Sequence, residues 1–537
     1  MSQVNLDALI PREDLEIREM KNLPNQANNI NISHLQKGQL WMESLRKPQF
    51  QRSTWEWSPE KVYGLIKSFT DGHLIPAIIL WKGEGNIFVI DGAHRLSALM
   101  AWVNDDYGYG STSRSFFGDN LVSGQKEKAK LTKKLIEEKI GKYSDIVLAG
   151  ANQQNAPPEY LKIAQVINSK PIDLQWVPGN ASQAEESFFK INEAASPIDG
   201  TEKRLLRARN KPMAIAARAI IRAGRGHKYW SRFLADNQDK IEEIATEIHK
   251  LLFDPELVTP VKTFDIPLAG KSYSDITQQL ILNVVNFSNG VKIVDASNAK
   301  KKEDFPEYGI ADDTSDGSET IKYLVNTKKM ISNIVGTQSC SLGLHPAIYF
   351  YSQQGRYQIT SFMAILNLID DYEKRKQLIK FTTIRKSFED FLWEHKNLVN
   401  QATVTWGSGA KGYLNLSKLF DFIIKLLMDN KNKEDVLKEL DKSTEYNFYK
   451  SGVRELNPKR RKDFSSESKS EIFLKAVQSS VPRCNICGGF LHVNSIQIGH
   501  QQDIGNGGIG NSDNGRLEHP YCNSIKNNLI EMGFSKK

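Results

Sequence analysis

The chain has 537 residues, of which 40% are hydrophobic and 25% are charged, so we expect a folded protein of about two to four domains. Its formal net charge of +8 permits binding to a polyanion without requiring it. The sequence shows neither an apolar stretch of membrane-spanning length nor a signal peptide, and its four cysteines are too few for a secreted disulfide scaffold. We therefore expect a cytoplasmic protein that does not contact a membrane.

The first 212 residues show strand and helix signals in alternation. Residues 1–40 are polar and mixed and are predicted to form an N-terminal extension. Ser58 is a predicted N-cap and Pro59 a first-turn residue of a helix. The apolar stretches Ile75–Trp81 and Ile87–Ile90 are predicted to be two strands joined by a hairpin turn at Gly83–Asn86.

The second of these strands leads directly into a short motif, the 91–95 box, with the sequence Asp-Gly-Ala-His-Arg. A strand followed by a glycine turn and a helix N-terminus directs backbone N–H groups at an anion, and Arg95 adds a fork that fits phosphate. Asp91 could hold a metal, a ribose hydroxyl or Arg52. In the alternative interpretation, Asp91 caps the helix and Arg95 pairs with a carboxylate.

The 91–95 box, Gln51-Arg52 and Phe188–Asn192 together resemble the N-terminal domain of the GmrSD and SspE restriction proteins, which belongs to the ParB/sulfiredoxin-like superfamily. The family box usually reads Asp-Gly-Gln-Gln-Arg, and Ala93 and His94 replace its two middle residues here. The resemblance implies an α/β domain over residues 41–212 that senses DNA or binds, and hydrolyses, GTP or another NTP. The residues implied for nucleotide or phosphate binding are Gln51, Arg52, Asp91, Gly92, His94, Arg95 and Asn192.

Residues 213–456 are predicted to be largely helical, with an apolar stripe that includes Ile241 and Ile248. The basic stretch at 201–223 could follow a phosphate backbone or form a solvated face. His345 and the aromatic residues after it are expected in the core, with a lining for a flipped base as the alternative. Residues 457–475 are predicted to be a basic, serine-rich linker, which contacts DNA or is merely solvated.

Two ligand pairs near the C-terminus have the spacing of a zinc site. Cys-x-x-Cys and His-x-x-Cys each bring two ligands to one side of a metal, and zinc takes four in tetrahedral geometry. Four protein ligands leave no open position, so this zinc would be structural. The predicted ligands are Cys484, Cys487, His519 and Cys522.

Between the two pairs lie His500 at the end of a predicted strand, a glycine-rich loop and Asn514, and Asn523 follows in a closing helix. This order resembles the HNH endonucleases with the ββα-metal fold, over residues 476–537. The resemblance implies that His500 takes a proton from water. It also implies that Asn514 orients His500 or assists the metal, and that Asn523 binds a catalytic Mg²⁺ or Mn²⁺.

One position departs from the HNH pattern, because Gly499 stands where the family has a metal-binding aspartate. Asp503 and His492 are the candidate replacements, and weaker metal binding is the other option. A degraded nuclease that only binds DNA is a further alternative.

The sequence therefore predicts an α+β multidomain protein with an α/β N-terminal domain, a helical middle and a C-terminal zinc module. The expected function is cleavage or nicking of double-stranded DNA, modified in phage or other foreign genomes, in a restriction or anti-phage system regulated by nucleotide. The resemblance implies substrates such as glucosylated hydroxymethylcytosine or phosphorothioate DNA, and a homo-oligomer is compatible with it. The rivals are a non-catalytic ParB-like DNA-binding regulator and a nucleotidase-type toxin centred on the 91–95 box.

Overall fold

The computed structural model describes residues 4–13, 26–48, 54, 57–83, 85–118, 124–195, 200–225, 227–272, 275–294, 305–313, 316–450, 463–532 and 534, except for the side chains of 155, 182, 189, 192–195, 275 and 506. The chain divides into two compact units. Unit 1 comprises Met1–Arg209 and Arg225–Tyr229, and unit 2 comprises Asn210–Gly224 and Trp230–Lys537. The architecture mixes α and β structure, as the sequence predicts.

A mixed sheet forms the centre of unit 1. Its strands within the described residues are β1 (Arg12–Glu13), β2 (Asn29–Ile30), β3 (Leu45–Pro48), β4 (Ile78–Lys82), β5 (Ile87–Asp91) and β6 (Ile172–Trp176), in the spatial order β1-β3-β5-β4-β6-β2. Strands β1, β3 and β5 are parallel, β4 is antiparallel to β5 and parallel to β6, and β2 is antiparallel to β6. The carboxyl ends of β3 and β5 therefore lie at the same edge.

The β4–β5 hairpin confirms the predicted strand pair and turn. Gly83 N–H donates a 3.0 Å hydrogen bond to the Asn86 carbonyl and closes the turn. Strand β4 begins at Ile78 rather than at the predicted Ile75. Pro76 explains the difference, because proline has no N–H to give to the ladder of a sheet.

Helices surround this sheet on the described part of unit 1. They are α1 (Leu40–Glu43), α2 (Pro59–Thr70), α3 (Ala93–Val103), α4 (Ser111–Phe117), α5 (Gln125–Lys139), α6 (Tyr143–Ala151), α7 (Pro158–Ser169), α8 (Ala181–Ala195) and α9 (Gly200–Arg207). The predicted N-cap of α2 is confirmed, since Ser58 Oγ accepts a hydrogen bond of 3.3 Å from Lys61 N–H. Ile66 and Phe69 of α2 are buried in the core beside the sheet.

The predicted N-terminal extension differs most from the structure. Residues 1–40 contribute β1 and β2 to the sheet, and Val4, Leu6 and Ile10 are buried in the core of unit 1. Asp7 is also buried and forms ion pairs with Arg12 (2.9 Å) and Lys47 (2.7 Å). The apolar residues Val4, Leu6 and Ala8–Ile10 stand in a segment that is polar on average, so mean composition hides a segment that completes the sheet.

Unit 2 is helical over most of its length, which confirms the predicted helical middle. Its described helices up to residue 450 are α10 (Pro212–Ile221), α11 (Ala235–Phe253), α12 (Asp275–Ser288), α13 (Ser318–Ile334), α14 (Pro346–Tyr349), α15 (Ile359–Lys374), α16 (Leu378–Glu394), α17 (Asn397–Trp406), α18 (Ala410–Met428) and α19 (Lys433–Lys442). The apolar stripe of α11 is buried, and so is the predicted core residue His345. In the basic stretch 201–223, Arg204 and Arg218 are buried, so this stretch is not one continuous exposed basic face.

The predicted linker contains a helix. Residues 457–462, with the basic cluster, lie outside the described residues, but α20 (Ser466–Val477) occupies the rest of the segment and extends beyond it. Ser465 Oγ caps this helix at Ser468 N–H, and the buried Ser470 Oγ accepts a 2.9 Å hydrogen bond from Val261 N–H. Capping and burial therefore order a serine-rich sequence that resembles a linker by composition.

A hairpin and two short helices end unit 2. Strands β7 (Gln497–His500) and β8 (Gly515–Glu518) pair in antiparallel register, followed by α21 (Pro520–Ser524) and α22 (Lys526–Glu531). Helix α21 packs against β7. Within the described residues, every helix is too short or too polar to cross a lipid bilayer.

Candidate functional site

The four predicted zinc ligands meet at the base of the β7–β8 hairpin. Cys484 and Cys487 lie in a turn, His519 is the N-cap of α21, and Cys522 lies within α21. All four are buried, and their ligand atoms lie within 4.8 Å of one another. His519 Nε2 lies 2.9 Å from the Phe490 carbonyl, which can only accept, so Nε2 carries the proton and Nδ1 faces the sulfurs. This donor set fits a tetrahedral zinc ion.

Backbone N–H groups and thiol hydrogen bonds favour negative charge on the sulfur of Cys484. Cys484 Sγ accepts hydrogen bonds of 3.4 Å from the N–H groups of Ile486 and His519. Hydrogen bonds from the thiols of Cys487 and Cys522 hold the pKa of Cys484 well below its ordinary value. Burial raises the pKa of Cys487, so the sulfurs share their charge unequally. Zinc would remove the remaining protons, since it binds thiolates.

A buried ion pair of helix α16 lies against this cluster. Arg385 Nε lies 2.6 Å from Glu389 Oε1, and both side chains are almost completely buried. Arg385 Nη1 lies 3.3 Å from His519 Nδ1, and Glu389 Oε2 accepts a 2.6 Å hydrogen bond from Phe490 N–H. The helical part of unit 2 thus contacts the zinc cluster through polar side chains that the sequence did not single out.

His500 is the last residue of β7, where it pairs with Gly515. Its carbonyl accepts hydrogen bonds from Lys526 Nζ (2.9 Å) and Arg516 Nη2 (3.2 Å), which fix its backbone. Its side chain is half-buried, and the imidazole has no hydrogen-bond partner among the described residues. The ring is therefore held at a defined place with its nitrogens available for proton transfer.

The side chain of Asn514 forms hydrogen bonds to the backbone of the loop that follows His500. Its Oδ1 accepts a 2.6 Å hydrogen bond from Gln502 N–H, and its Nδ2 donates to the carbonyls of Gln502 (3.0 Å) and Ile509 (2.9 Å). Both ends of the amide are engaged with backbone. This favours orientation of the His500 segment over direct metal binding for Asn514.

Asn523 lies on α21, facing the hairpin. Its Nδ2 donates a 3.2 Å hydrogen bond to Gln497 Oε1, and its Oδ1 has no hydrogen-bond partner among the described residues. A carboxamide held by its nitrogen presents its oxygen as a ligand, which suits Mg²⁺ or Mn²⁺.

Both sequence-based candidates for the missing aspartate are engaged elsewhere. His492 is fully buried, with Nε2 3.1 Å from the Ile266 carbonyl. Asp503 Oδ1 lies 2.5 Å from Lys526 Nζ. The carboxylate that lies against Gly499 is that of Glu518, whose Oε1 is 2.8 Å from the point where a Cβ on Gly499 would stand, with Oε2 still closer.

The 91–95 box lies at the carboxyl end of β5 in unit 1. Gly92, with φ +92°, is the N-cap of α3, and a Cβ there would lie 2.7 Å from Ile78 Cδ1. Arg95 Nη2 donates to Asp91 Oδ2 (2.6 Å) and the Ala77 carbonyl (3.2 Å), so the carboxylate pairing of the alternative interpretation occurs, and it occurs within the box itself. Arg95 Nε has no hydrogen-bond partner among the described residues.

The structure brings Asp91, Gly92, His94 and Arg95 together, and the His94 ring stacks on Trp57 with centroids 5.6 Å apart. Gln51 and Arg52 lie outside the described residues, although β3, which ends at Pro48, is parallel to β5. Asn192 belongs to α8, and its side chain lies outside the described part.

Part of the chain matches a known family. Residues 32–209 match the family described as the GmrSD restriction endonuclease, N-terminal domain. This region is similar to the GmrSD N-terminal domain. The match ends at Arg209, where the longer segment of unit 1 also ends. No curated protein and no solved structure matches the chain.

The match confirms the part of the predicted resemblance that falls on residues 32–209, and the matched family is described as a restriction endonuclease. The HNH resemblance of the C-terminal module stays a prediction. The sequence reasoning missed Glu518, Arg385 and Glu389. Glu518 had one usable signal, a charged residue directly before the zinc ligand His519, whereas Arg385 and Glu389 look like an ordinary helix-surface pair.

Proposed function

We propose that this chain is a restriction-type DNA endonuclease in which an HNH-like module, residues 476–537, hydrolyses the phosphodiester. The observation that carries the proposal is the joint placement of a buried Cys₃His cluster, a hairpin ending in His500, and Asn523 on the helix that begins at the cluster. The family described for residues 32–209 is a restriction endonuclease, which supports the same class of function.

His500 is the proposed general base. A neutral imidazole can take the proton of an attacking water near pH 7, and this ring is held by its backbone while its nitrogens are unengaged among the described residues. Asn514 is a positioning residue, because it fixes the loop after His500 through Gln502.

A divalent cation is the second component of the proposed site. Asn523 would contribute its amide oxygen, and Mg²⁺ or Mn²⁺ would supply charge stabilisation to the scissile phosphate and the leaving oxygen. The zinc cluster has a structural role instead, since four protein ligands leave the zinc ion no open coordination position for water or substrate. It stabilises the turn and helix that carry the hairpin.

The GmrSD-like region is the proposed sensor of nucleotide or modified DNA. The N-terminus of α3 presents backbone N–H groups after the left-handed Gly92, and Arg95 keeps a buried Nε without a hydrogen bond among the described residues. A phosphate at this helix end would be recognised by both features. GTP or another NTP is therefore the proposed regulatory ligand, and modified phage DNA the proposed substrate.

Cleavage of plasmid and phage DNA tests the nuclease function. Full-length protein with Mn²⁺, with and without GTP, is incubated with unmodified, glucosylated hydroxymethylcytosine and phosphorothioate DNA. We expect cleavage of at least one substrate, lost in His500→Ala and kept in His34→Ala, a matched change of an exposed histidine. Cleavage that survives His500→Ala contradicts the proposal.

A DNA-binding regulator with a structural zinc module is the second candidate, and Gly499 favours it because the usual metal-binding side chain is missing there. The same experiment separates the two functions. DNA binding without cleavage of any substrate, in a protein with its zinc bound, would support the regulator. Loss of NTP turnover in Asp91→Ala, with DNA cleavage absent throughout, would support a nucleotidase instead.

A further inference from the structure

The side chain of Glu518 occupies the space that a side chain at residue 499 would need. The carboxylate of Glu518 lies against the Gly499 backbone, with Oε1 2.8 Å and Oε2 nearer still to the point where a Cβ would stand. Since real Cβ atoms do not come this close to other heavy atoms, residue 499 can carry a side chain only if the Glu518 carboxylate shifts. Glu518 can therefore take this position only because residue 499 is a glycine.

The strand register puts this carboxylate on the same face as Asn523. Glu518 is the cross-strand partner of Gln497, and Gly499 lies two residues further along the same strand, so all three share one face of the hairpin. Asn523 reaches this face from α21 through its hydrogen bond to Gln497. An amide oxygen and a carboxylate are thus brought to the same side of β7, the strand that ends at His500.

Burial distinguishes Glu518 from a surface carboxylate. Glu518 is 0% exposed, and a buried carboxylate is costly unless cations or hydrogen bonds offset its lost hydration. Arg516 Nε lies 3.2 Å from Oε1 and supplies one such charge, while Arg516 Nη2 holds the His500 carbonyl. The guanidinium therefore joins the carboxylate to the strand end that carries His500.

We propose that Glu518 supplies the carboxylate ligand of the catalytic divalent cation, in place of the aspartate that Gly499 lacks. The inference rests on the proposed nuclease function and deepens it. Oxygen ligands of this kind suit Mg²⁺ and Mn²⁺. Asp503 is the weaker candidate because it is 46% exposed at the side chain and paired with Lys526, and His492 is directed at the Ile266 carbonyl.

Metal binding by the full-length, zinc-loaded protein tests this assignment. Mn²⁺ affinity is measured by calorimetry and by the electron paramagnetic resonance signal of free Mn²⁺, with zinc content measured in parallel. We expect Glu518→Gln to weaken Mn²⁺ binding by about tenfold or more, since even residues that only support ligands change affinity by that factor. Zinc content should stay at one ion per chain. Asp513→Asn, an exposed change of the same kind in the same module, should bind Mn²⁺ as the wild type does.

Moving the carboxylate from residue 518 to residue 499 keeps the test decisive even if Glu518→Gln fails to fold. Gly499→Asp alone should lower Tm because of the clash with Glu518, whereas Gly499→Asp combined with Glu518→Ala should regain Mn²⁺ binding from the opposite strand. If Glu518→Gln loses zinc, this double variant decides: recovered Mn²⁺ affinity supports the assignment, and no recovery overturns it.

The outcomes separate this inference from the proposed function. Wild-type Mn²⁺ affinity and cleavage in Glu518→Gln would overturn the role of Glu518 and leave the nuclease function standing. A lower Tm with unchanged Mn²⁺ affinity would make Glu518 a structural partner of Arg516 only. Wild-type protein that neither binds Mn²⁺ nor cuts DNA would overturn the proposed function itself.

Discussion

Glu389 of helix α16 accepts a 2.6 Å hydrogen bond from the backbone N–H of Phe490, three residues after the predicted zinc ligand Cys487. The same carboxylate accepts from Tyr349 Oη (3.0 Å) and pairs with Arg385. Arg385 in turn donates to the carbonyls of Leu342 and Gly343. The zinc module and the helical part of unit 2 are thus one polar network at this point, and their stabilities should be linked.

Removing the charge of Glu389 should destabilise unit 2. Glu389→Gln leaves the Arg385 guanidinium buried without its counter-charge, and breaking a buried pair from one side costs about 3–5 kcal/mol. Urea unfolding, followed by zinc release with a colorimetric chelator, should show both transitions shifting together. Lys438→Ala is the control, because its partner Asp435 and the lysine itself are exposed and such pairs contribute about 0–1 kcal/mol. If zinc release in Glu389→Gln keeps the urea midpoint of the wild type, the stabilities of the zinc module and the helical part are not linked.

Loss of a zinc ligand should unfold the C-terminal hairpin before the GmrSD-like region. In Cys522→Ser the buried cluster keeps three of its four ligands, and structural zinc sites supply folding free energy directly. We expect zinc content to fall well below one ion per chain and proteolysis to cut within residues 480–530 first. The matched variant is Cys340→Ser, which changes an exposed cysteine outside the cluster. Equal protease resistance in both variants would show that zinc does not hold this module.

The sequence predicted the parts of both sites that depend on local signals. Proline and glycine at fixed positions mark the start of α2 and the turn at the 91–95 box, and two-residue ligand spacing marks the zinc cluster. These features depend on neighbours in the chain, so one sequence is enough to find them.

Contacts between distant segments could not be predicted in the same way. The place of Glu518 depends on the β7–β8 register, and the Arg385–Glu389 pair reaches residues about a hundred positions away. Residues 4–13 were predicted to lie outside the domain because the first forty residues are polar and mixed, and β1, with two residues, is too short to show an alternation of its own. Their burial goes with contacts to distant residues, since Arg12 and Glu13 pair with β3 and the N–H groups of Val4 and Leu6 donate to the carbonyls of Trp57 and Thr54. Composition does not reveal such contacts.

Acid should destabilise unit 2 through His345. This side chain is 0% exposed, its two nitrogens have no hydrogen-bond partner among the described residues, and burial together with the nearby His492 and Lys396 holds its pKa well below the ordinary value. The unfolded chain therefore binds more protons than the folded one below about pH 6.5. The free energy of unfolding should be highest above that pH and decrease as the pH falls toward the folded pKa.

The variant His345→Phe should remove part of this dependence, by up to about 1.4 kcal/mol per pH unit. Urea unfolding at a series of pH values between about 7 and about 5 gives the slope. Phenylalanine suits the site because the ring packs against Phe264 at 4.7 Å between centroids. An unchanged slope in His345→Phe would assign the acid sensitivity to other groups, and His34→Phe, at an exposed site, serves as the control.

A side chain at Gly92 should destabilise unit 1 in two ways. The backbone φ of +92° is strained for other residues, and a Cβ would lie 2.7 Å from Ile78 Cδ1. Gly72→Ala isolates the strain, since its φ is +80° with nothing within 4 Å of the added atom. We expect a cost of about 1 kcal/mol for Gly72→Ala and a clearly larger one for Gly92→Ala, measured by thermal unfolding. Equal losses of Tm would mean that Ile78 moves aside freely.

Asn514 should affect catalysis through the position of His500 and leave metal binding nearly unchanged. Asn514→Ala removes three hydrogen bonds to the loop after His500, whereas Asn514→Asp keeps the one that Oδ1 accepts from Gln502 and loses the two that Nδ2 donates. We therefore expect kcat for DNA cleavage to fall in the order wild type, Asn514→Asp, Asn514→Ala. The affinity for Mn²⁺ should stay within about threefold of wild type, because losses of about tenfold or more are typical of residues that hold a metal ligand in place. A shared loss of kcat and Mn²⁺ affinity would instead make Asn514 part of the metal site, which its engaged amide argues against.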